Sequence, residues 1–135
     1  MSKNLPLRFL ITGGYGFIGS ALVRFLIKKT NKIVFNIDNL TYASNKNSLD
    51  QIKDSNRYNF FKCDICNYSA LKKIFFKVKP DIICHLAAET HVDNSIHKPK
   101  VFIETNIVGS FNLLEVSRKY FDNIKDKKNF IFHHI

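Results

Sequence analysis

Apolar positions in this chain follow two alternating rhythms. Short, nearly unbroken apolar runs appear at Phe9–Ile11, Ile33–Ile37, Arg57–Lys62 and Asp81–Leu86, and another begins at Asn129–His133. Between them lie longer stretches in which apolar residues recur every three or four positions. The short runs predict strands. The run Asp81-Ile-Ile-Cys-His-Leu86 has almost no polar interruption, as a central parallel strand covered on both faces requires. The longer stretches predict helices: Phe17 to about Lys29, a second carrying Leu71, Ile74, Phe75 and Val78 at i, i+3, i+4, i+7, and a third from about Pro99 to Phe121. Asn67 or Ser69 is placed to cap the second helix, and Pro80 to stop it. Polar stretches at Asn39–Asn47 and Ala87–Lys98 read as loops, with a short helical piece around Leu49 and Ile52.

Strand and helix in strict alternation define an α/β protein with right-handed crossovers and a doubly wound parallel sheet, expected in the order 3-2-1-4-5. The long third helix is apolar on two sides. Phe102, Gly109, Leu113, Val116 and Tyr120 share one face, and Ile103, Ile107, Phe111, Leu114 and Phe121 share another. One face is enough to cover the sheet, so the second calls for a further neighbour.

The chemistry is concentrated where the first strand turns into the first helix, Arg8-Phe-Leu-Ile-Thr-Gly-Gly-Tyr-Gly-Phe-Ile-Gly19. Gly13 permits the turn, Gly16 lets a pyrophosphate approach the backbone, and Gly19 allows close helix packing; the helix start then offers N–H groups to phosphate. The second strand ends in Asp38, about 20 residues beyond the last glycine, where a carboxylate accepts ribose hydroxyls and repels a 2′-phosphate. The pattern is that of a Rossmann-type NAD site.

A length of 135 residues suits one domain with its own core. A formal charge of +10 raises the question of nucleic acid. The lysines, however, are scattered over helix ends and loops (Lys28, Lys29, Lys32; Lys72, Lys73, Lys77, Lys79; Lys125, Lys127, Lys128) and form no aromatic-interleaved stripe, so no nucleic-acid partner is expected. There is no run long enough to cross a bilayer and no leader-like apolar segment, so a cytoplasmic location is expected and no membrane partner. Cys63, Cys66 and Cys84 are odd in number and imply no disulfide framework. Cys63-Asp-Ile-Cys66 lacks the second ligand pair of a zinc site, and no metal is expected. His85, His91 and His97, spaced by six, suit structural or substrate-near roles.

Beyond the glycine turn, five further stretches carry a resemblance: Asp38-Asn-Leu-Thr-Tyr-Ala-Ser-Asn45, Cys63-Asp-Ile65, His85-Leu-Ala-Ala-Glu-Thr-His-Val-Asp93, Phe102-Ile-Glu-Thr-Asn-Ile-Val-Gly109 and Phe132-His-His-Ile135. In order and spacing, from Arg8 onward, the chain resembles the extended short-chain dehydrogenase/reductase superfamily and, within it, the dTDP-glucose 4,6-dehydratase family. The resemblance implies that Phe17 and Ile18 lie against the cofactor diphosphate, that Asp38, Asn39, Leu40 and Thr41 hold the adenine ribose and its surroundings, and that Asp64 and Ile65 border the adenine. It places Leu86, Ala87, Ala88, Glu89 and Thr90 under the nicotinamide half and Thr105 near the nicotinamide ribose, with Thr90 also touching the sugar nucleotide. It further implies a homodimer through the 99–121 helix in the complete enzyme. Thr90, Ser44, Asn67 and Asn94 stand where the family more often has Ser, Gly, Asp and Arg. Thr90 keeps the hydroxyl; the charge missing at Asn94 leaves UDP-glucose and GDP-mannose relatives open.

In the family, the strand matching His133-His-Ile135 continues into Ser-Thr-Asp-Glu-Val-Tyr-Gly, a Tyr-x-x-x-Lys helix and a sugar-nucleotide domain. There the sugar is oxidised at C4 by NAD, water is eliminated across C5 and C6, and the hydride returns to C6. None of those acid, base or tyrosine residues lies within the 135 positions. The expectation is therefore a partial NAD-binding domain over 1–135, cut in the fifth strand, holding no catalytic residue and inactive alone. A non-catalytic nucleotide-binding or dimerising module, or a fragment of another sugar-nucleotide dehydratase or epimerase, are the alternatives.

Overall fold

The computed structural model describes residues 5–135. In chain order the elements are β1 (Arg8–Thr12), α1 (Phe17–Lys29), β2 (Ile33–Asp38), a 3-10 turn (Lys46–Leu49), β3 (Tyr58–Lys62), α2 (Tyr68–Val78), β4 (Ile82–His85), α3 (Val92–His97), α4 (Pro99–Phe102), a π-helical segment (Ile103–Gly109), α5 (Ser110–Asn123) and β5 (Ile131–His134). The five strands form one sheet in the order β3-β2-β1-β4-β5, every pair parallel, as the alternating pattern predicted.

Successive residues of the inner strands feed two cores. Leu10, Ile37 and Ile83 join Leu71, Phe75, Leu113 and Val116 on the side covered by α2 and α5. Ile11, Val34 and Cys84, at the alternate positions of the same strands, join Val23, Leu26, Ile27 and Leu49 on the α1 side. A fully buried Leu or Ile contributes about 1.5–3 kcal/mol wherever it points, so with both faces apolar, hydrophobicity alone does not set the strand register. Buried polar residues do. Thr12 is paired with His85 in the β1–β4 ladder and bonded to its ring, while Asn36 reaches from β2 to the turn after β1.

The helix boundaries have local causes. Asn67 Oδ1 accepts the Ala70 N–H at 3.0 Å, so Asn67 and not Ser69 caps α2. Lys79 then adopts the left-handed conformation (φ 51°) and returns its N–H to Phe75 O, ending the helix just before Pro80. Arg57, read as the first residue of the third strand, lies outside it. Its guanidinium donates to Ile27 O, Thr30 O and Lys32 O at 2.6–3.1 Å, closing the carbonyl end of α1.

Other sequence readings are corrected as well. The stretch Ala87–Lys98 is not all loop, because α3 occupies Val92–His97. Its apolar residues, Val92 and Ile96, face outward, so it has none of the buried periodicity that marks a helix in sequence. The long helix is continuous but not regular, since seven residues in its middle are π-helical. Gly109, Leu113, Val116 and Tyr120 do form its buried face, with Phe102 only half-buried, and Ile103, Ile107, Phe111 and Leu114 form its exposed one. Phe121 is covered within the chain, by the Phe130 ring at 5.5 Å and by Lys127 Nζ, 4.5 Å from its centroid. The edge strand β5 starts two residues later than the apolar run suggested, because Phe130 turns inward onto Tyr120.

Candidate functional site

Because all strands run the same way, their carboxyl ends meet on one side of the sheet, and a cleft opens there. Of the residues predicted to form a site, Gly13, Gly16, Asp38, Asn39, Thr41, Asp64, Ile65, Leu86, Ala87, Ala88, Glu89 and Thr105 line it, joined by Ala43, Ser44 and Cys63. Phe17, Ile18, Gly19, Leu40 and Thr90 do not. Gly19 is buried beneath the turn, Leu40 is half-buried just past Asp38, and Thr90 is exposed at the outer end of the 86–90 segment.

The turn is shaped by what its glycines lack. Gly13 has φ +74°, and a Cβ there would stand 2.8 Å from Ala87 N. A Cβ on Gly19 would stand 2.1 Å from Gly13 O, so the helix approaches the turn only because that carbon is missing. Hydrogen bonding then sorts the amides. Gly13 N–H goes to Ile37 O, Gly14 to Asn36 Oδ1, Tyr15 to Asp38 Oδ2, Gly16 to Gly13 O and Ser20 to Gly16 O. The amides of Phe17, Ile18 and Gly19 have no acceptor among the described residues. The side chain of Phe17 is 94% exposed and that of Ile18 61%, so what these two offer a ligand is their backbone N–H at the positive end of α1, directly after Gly16, which lines the cleft.

Bonded into the same turn is Asp38, the last residue of β2, only 7% exposed. Its Oδ2 accepts from Tyr15 N, and its Oδ1 from Leu40 N (2.8 Å) and Ser44 Oγ (2.9 Å). Leu40 holds φ +58°, the left-handed region, so that its amide can turn back onto the carboxylate. Further along the rim, Asn39 Nδ2 donates to Asp64 Oδ2, and Asp64 Oδ1 accepts Cys66 N–H. Ile65 forms the floor under Gly109, where a Cβ would come within 2.6 Å of its side chain.

The wall made by residues 86–90 is held from behind. Thr12 Oγ1 accepts the N–H groups of Leu86 and Ala87, both at 3.2 Å. Its own proton must therefore go to His85 Nδ1, 2.7 Å away, which makes Nε2 the protonated nitrogen that donates to Ser110 Oγ at 2.8 Å. Burial, reinforced by the neighbouring His134, pushes His85 down to about 4 and keeps the ring neutral. Asn106, inside the π-helical segment, accepts from Glu89 N (2.8 Å) and donates to Glu89 O (2.9 Å) through one amide group. Across the mouth, Tyr42 O–H donates to Glu89 Oε2 and accepts from Asn94 Nδ2.

Asn36, Ser44, Asn106 and Tyr42 were missed from sequence as site residues. Only Asn36 carried a local signal, as the lone polar residue in the run Ile33-Val-Phe-Asn-Ile37. Of the three histidines spaced by six, His85 is built into the wall; His91 lies against the Tyr42 ring at 6.0 Å. Cys63 and Cys66 donate to the carbonyls of Asp64 and Glu104. Burial raises all three thiols, Cys66 to about 11, so they are protonated at neutral pH. Among the described residues no group of three His, Cys, Asp or Glu is placed to hold a metal ion, and no helix is long and apolar enough to cross a membrane.

A parallel doubly wound sheet, a glycine turn feeding α1 and an acid closing β2 define the Rossmann-type class of α/β domain. Residues 10–135 match the model of a family described as GDP-mannose 4,6 dehydratase, and the chain belongs to that family. It is 58% identical over 131 residues to a dTDP-glucose 4,6-dehydratase of Salmonella typhimurium, covering 96% of this chain and 36% of the relative. Its fold superposes on dTDP-glucose 4,6-dehydratase DesIV of Streptomyces venezuelae, solved with NAD bound, at a TM-score of 0.79 and 38% identity, covering 84% of this chain and 36% of that one. A UDP-glucose 4-epimerase of Thermotoga maritima, solved with UDP-glucose, matches at 0.76 and 35%, covering 84% and 35%. The chain thus spans about a third of the length of the proteins it matches.

Proposed function

We propose that these residues form the NAD-binding part of a sugar-nucleotide 4,6-dehydratase whose substrate is dTDP-glucose. The observation that carries the cofactor reading is the combination, around one glycine turn, of the Phe17 and Ile18 amides, which have no acceptor among the described residues, with the buried Asp38 carboxylate that lines the cleft beside Gly13 and Gly16. The first suits a diphosphate, the second a ribose diol. The missing Cβ atoms of Gly13 and Gly19 keep the turn between them tight. The substrate reading rests on the 58% identity over 131 residues to a dTDP-glucose 4,6-dehydratase.

When bound, NAD supplies a hydride acceptor that can later return the hydride. The chain's own residues bind and orient. Thr12 and His85 fix the Leu86–Ala87 backbone, Asn106 fixes Glu89, and Thr90, exposed at the outer end of that wall, is assigned to the sugar nucleotide by the family resemblance. Asn39 and Asp64 border the adenine end, and Thr105 the far wall. No acid–base residue of the dehydration is assigned within 1–135, so turnover belongs to the whole protein, in which the exposed Ile103, Ile107, Phe111 and Leu114 face meets a second copy. The three free thiols suit a reducing cytoplasmic setting.

Titration calorimetry with NAD and NADP tests the reading. Asp38 beside a 2′-phosphate should weaken NADP at least about tenfold relative to NAD. Asp38→Ala should narrow the gap by weakening NAD. Equal affinities in the parent chain would remove Asp38 from the site.

A further inference from the structure

A carboxylate has two oxygens and about four acceptor positions. At Asp38, main-chain amides take two of them: Tyr15 N–H on Oδ2 at 2.9 Å and Leu40 N–H on Oδ1 at 2.8 Å. The first ties down the glycine turn, and the second closes the turn that holds Leu40 at φ +58°. Neither can be given up without remodelling the loop. Ser44 Oγ takes the second position on Oδ1, at 2.9 Å. Oδ1 is therefore full, and one position on Oδ2 remains.

A ribose presents two neighbouring hydroxyls. One fits the open position on Oδ2; the other needs an acceptor that Asp38 does not have. Ser44 lines the same cleft. Since a carboxylate only accepts, the Ser44 proton points at Asp38, and the lone pairs of its oxygen are left over. Nothing among the described residues donates to them. A hydroxyl already donating to a carboxylate is polarised and accepts more strongly than a free one.

We propose that Ser44 is a ribose-binding residue, forming with Asp38 a joint receptor in which one diol hydroxyl donates to Asp38 Oδ2 and the other to Ser44 Oγ. This rests on the reading of Asp38 as the ribose acid. It deepens that reading by naming a second residue that sets cofactor affinity at this end of the cleft.

The experiment is calorimetric, on the 135-residue chain and its Ser44→Ala and Asp38→Ala variants. The ligands are NAD and the two analogues whose adenosine ribose lacks either the 2′- or the 3′-hydroxyl. Ser44→Ala should weaken NAD about fivefold to tenfold, the worth of one hydrogen bond. The loss should shrink below about twofold on one of the two deoxy analogues. Circular dichroism melts of each variant check that the chain is folded. If Asp38→Ala weakens NAD while Ser44→Ala leaves it unchanged or tightens it, Ser44 is a bystander or a competitor and the proposal fails alone. An equal loss on NAD and both analogues also overturns it, because Ser44 would then only shape the loop. If Asp38→Ala is silent, or the parent chain does not bind NAD, the ribose reading itself is wrong and Ser44 falls with it.

Discussion

Replacing Asn36 with alanine should cost this fold about 3 kcal/mol although Asn36 touches no ligand. The side chain is completely buried and works in two directions: Oδ1 accepts the Gly14 N–H at 3.0 Å, and Nδ2 donates to Tyr58 O–H at 3.0 Å. Burial holds the Tyr58 phenol well above its usual range, so it stays a neutral acceptor. Alanine leaves the Gly14 amide buried without an acceptor, which costs about 1–3 kcal/mol, and opens a small void worth about 1 kcal/mol more. For a domain of this size the sum corresponds to a fall in Tm of roughly 10 °C. Tyr58→Phe removes only the other half of the relay and should cost about 1–2 kcal/mol. Denaturant unfolding of the two single variants and the double variant completes the cycle. The double should fall short of additivity by roughly 0.5–1.5 kcal/mol, because the Asn36–Tyr58 bond is lost once and not twice. A Tm drop below about 3 °C for Asn36→Ala would refute the reasoning, since it would mean that water replaces the amide at little cost.

Two further outcomes follow from buried or strained groups. His85 titrates near 4, against an ordinary 6.5, so between those values the unfolded chain binds the extra proton and stability falls as the pH is lowered through that window. The loss is roughly 3 kcal/mol by pH 4, and His85→Gln should flatten that part of a pH-dependent denaturation series. Lys79 is exposed with φ 51° at the end of α2; Lys79→Gly should relieve the left-handed strain and raise stability by about 0.5–1 kcal/mol, read as a small rise in Tm.

The parts of the site that were legible in sequence are those whose cause is local. Gly13 needs a positive φ, and Gly19 needs to clear the Gly13 carbonyl, whatever the rest of the chain does. Asp38 ends an apolar strand at a fixed distance from them. The alternation of β and α patterns was enough for the strand order. What escaped depends on partners distant in sequence. Asn106 looks like any polar residue on a helix until the fold brings Glu89, 17 positions away, against it. The π-helical segment has no signature beyond that pairing, and α3 buries nothing. Arg57 read as strand because the residues after it are strand, yet its guanidinium spends itself on carbonyls of α1 some 25–30 positions earlier.

Two of the missed residues, Asn36 and Asn106, share with His85, which the sequence assigned a structural or substrate-near role, a physical role that bears on how the cleft works. Asn36 holds the amide of Gly14, His85 acts through Thr12 on the amides of Leu86 and Ala87, and Asn106 holds both the amide and the carbonyl of Glu89. Each is a buried or half-buried polar side chain that binds backbone and leaves ligand contact to others. The turn and wall they fix are made largely of glycine and alanine, which have no side-chain packing of their own to set their position. Main-chain groups there point where they do because a polar side chain from a neighbouring strand or helix takes up the bonds that would otherwise turn them elsewhere. A preorganised cleft of this kind spends little ordering entropy when a ligand arrives. It also makes ligand affinity sensitive to residues lying wholly behind the wall, so that core substitutions at positions 36, 85 and 106 act on binding and on stability together.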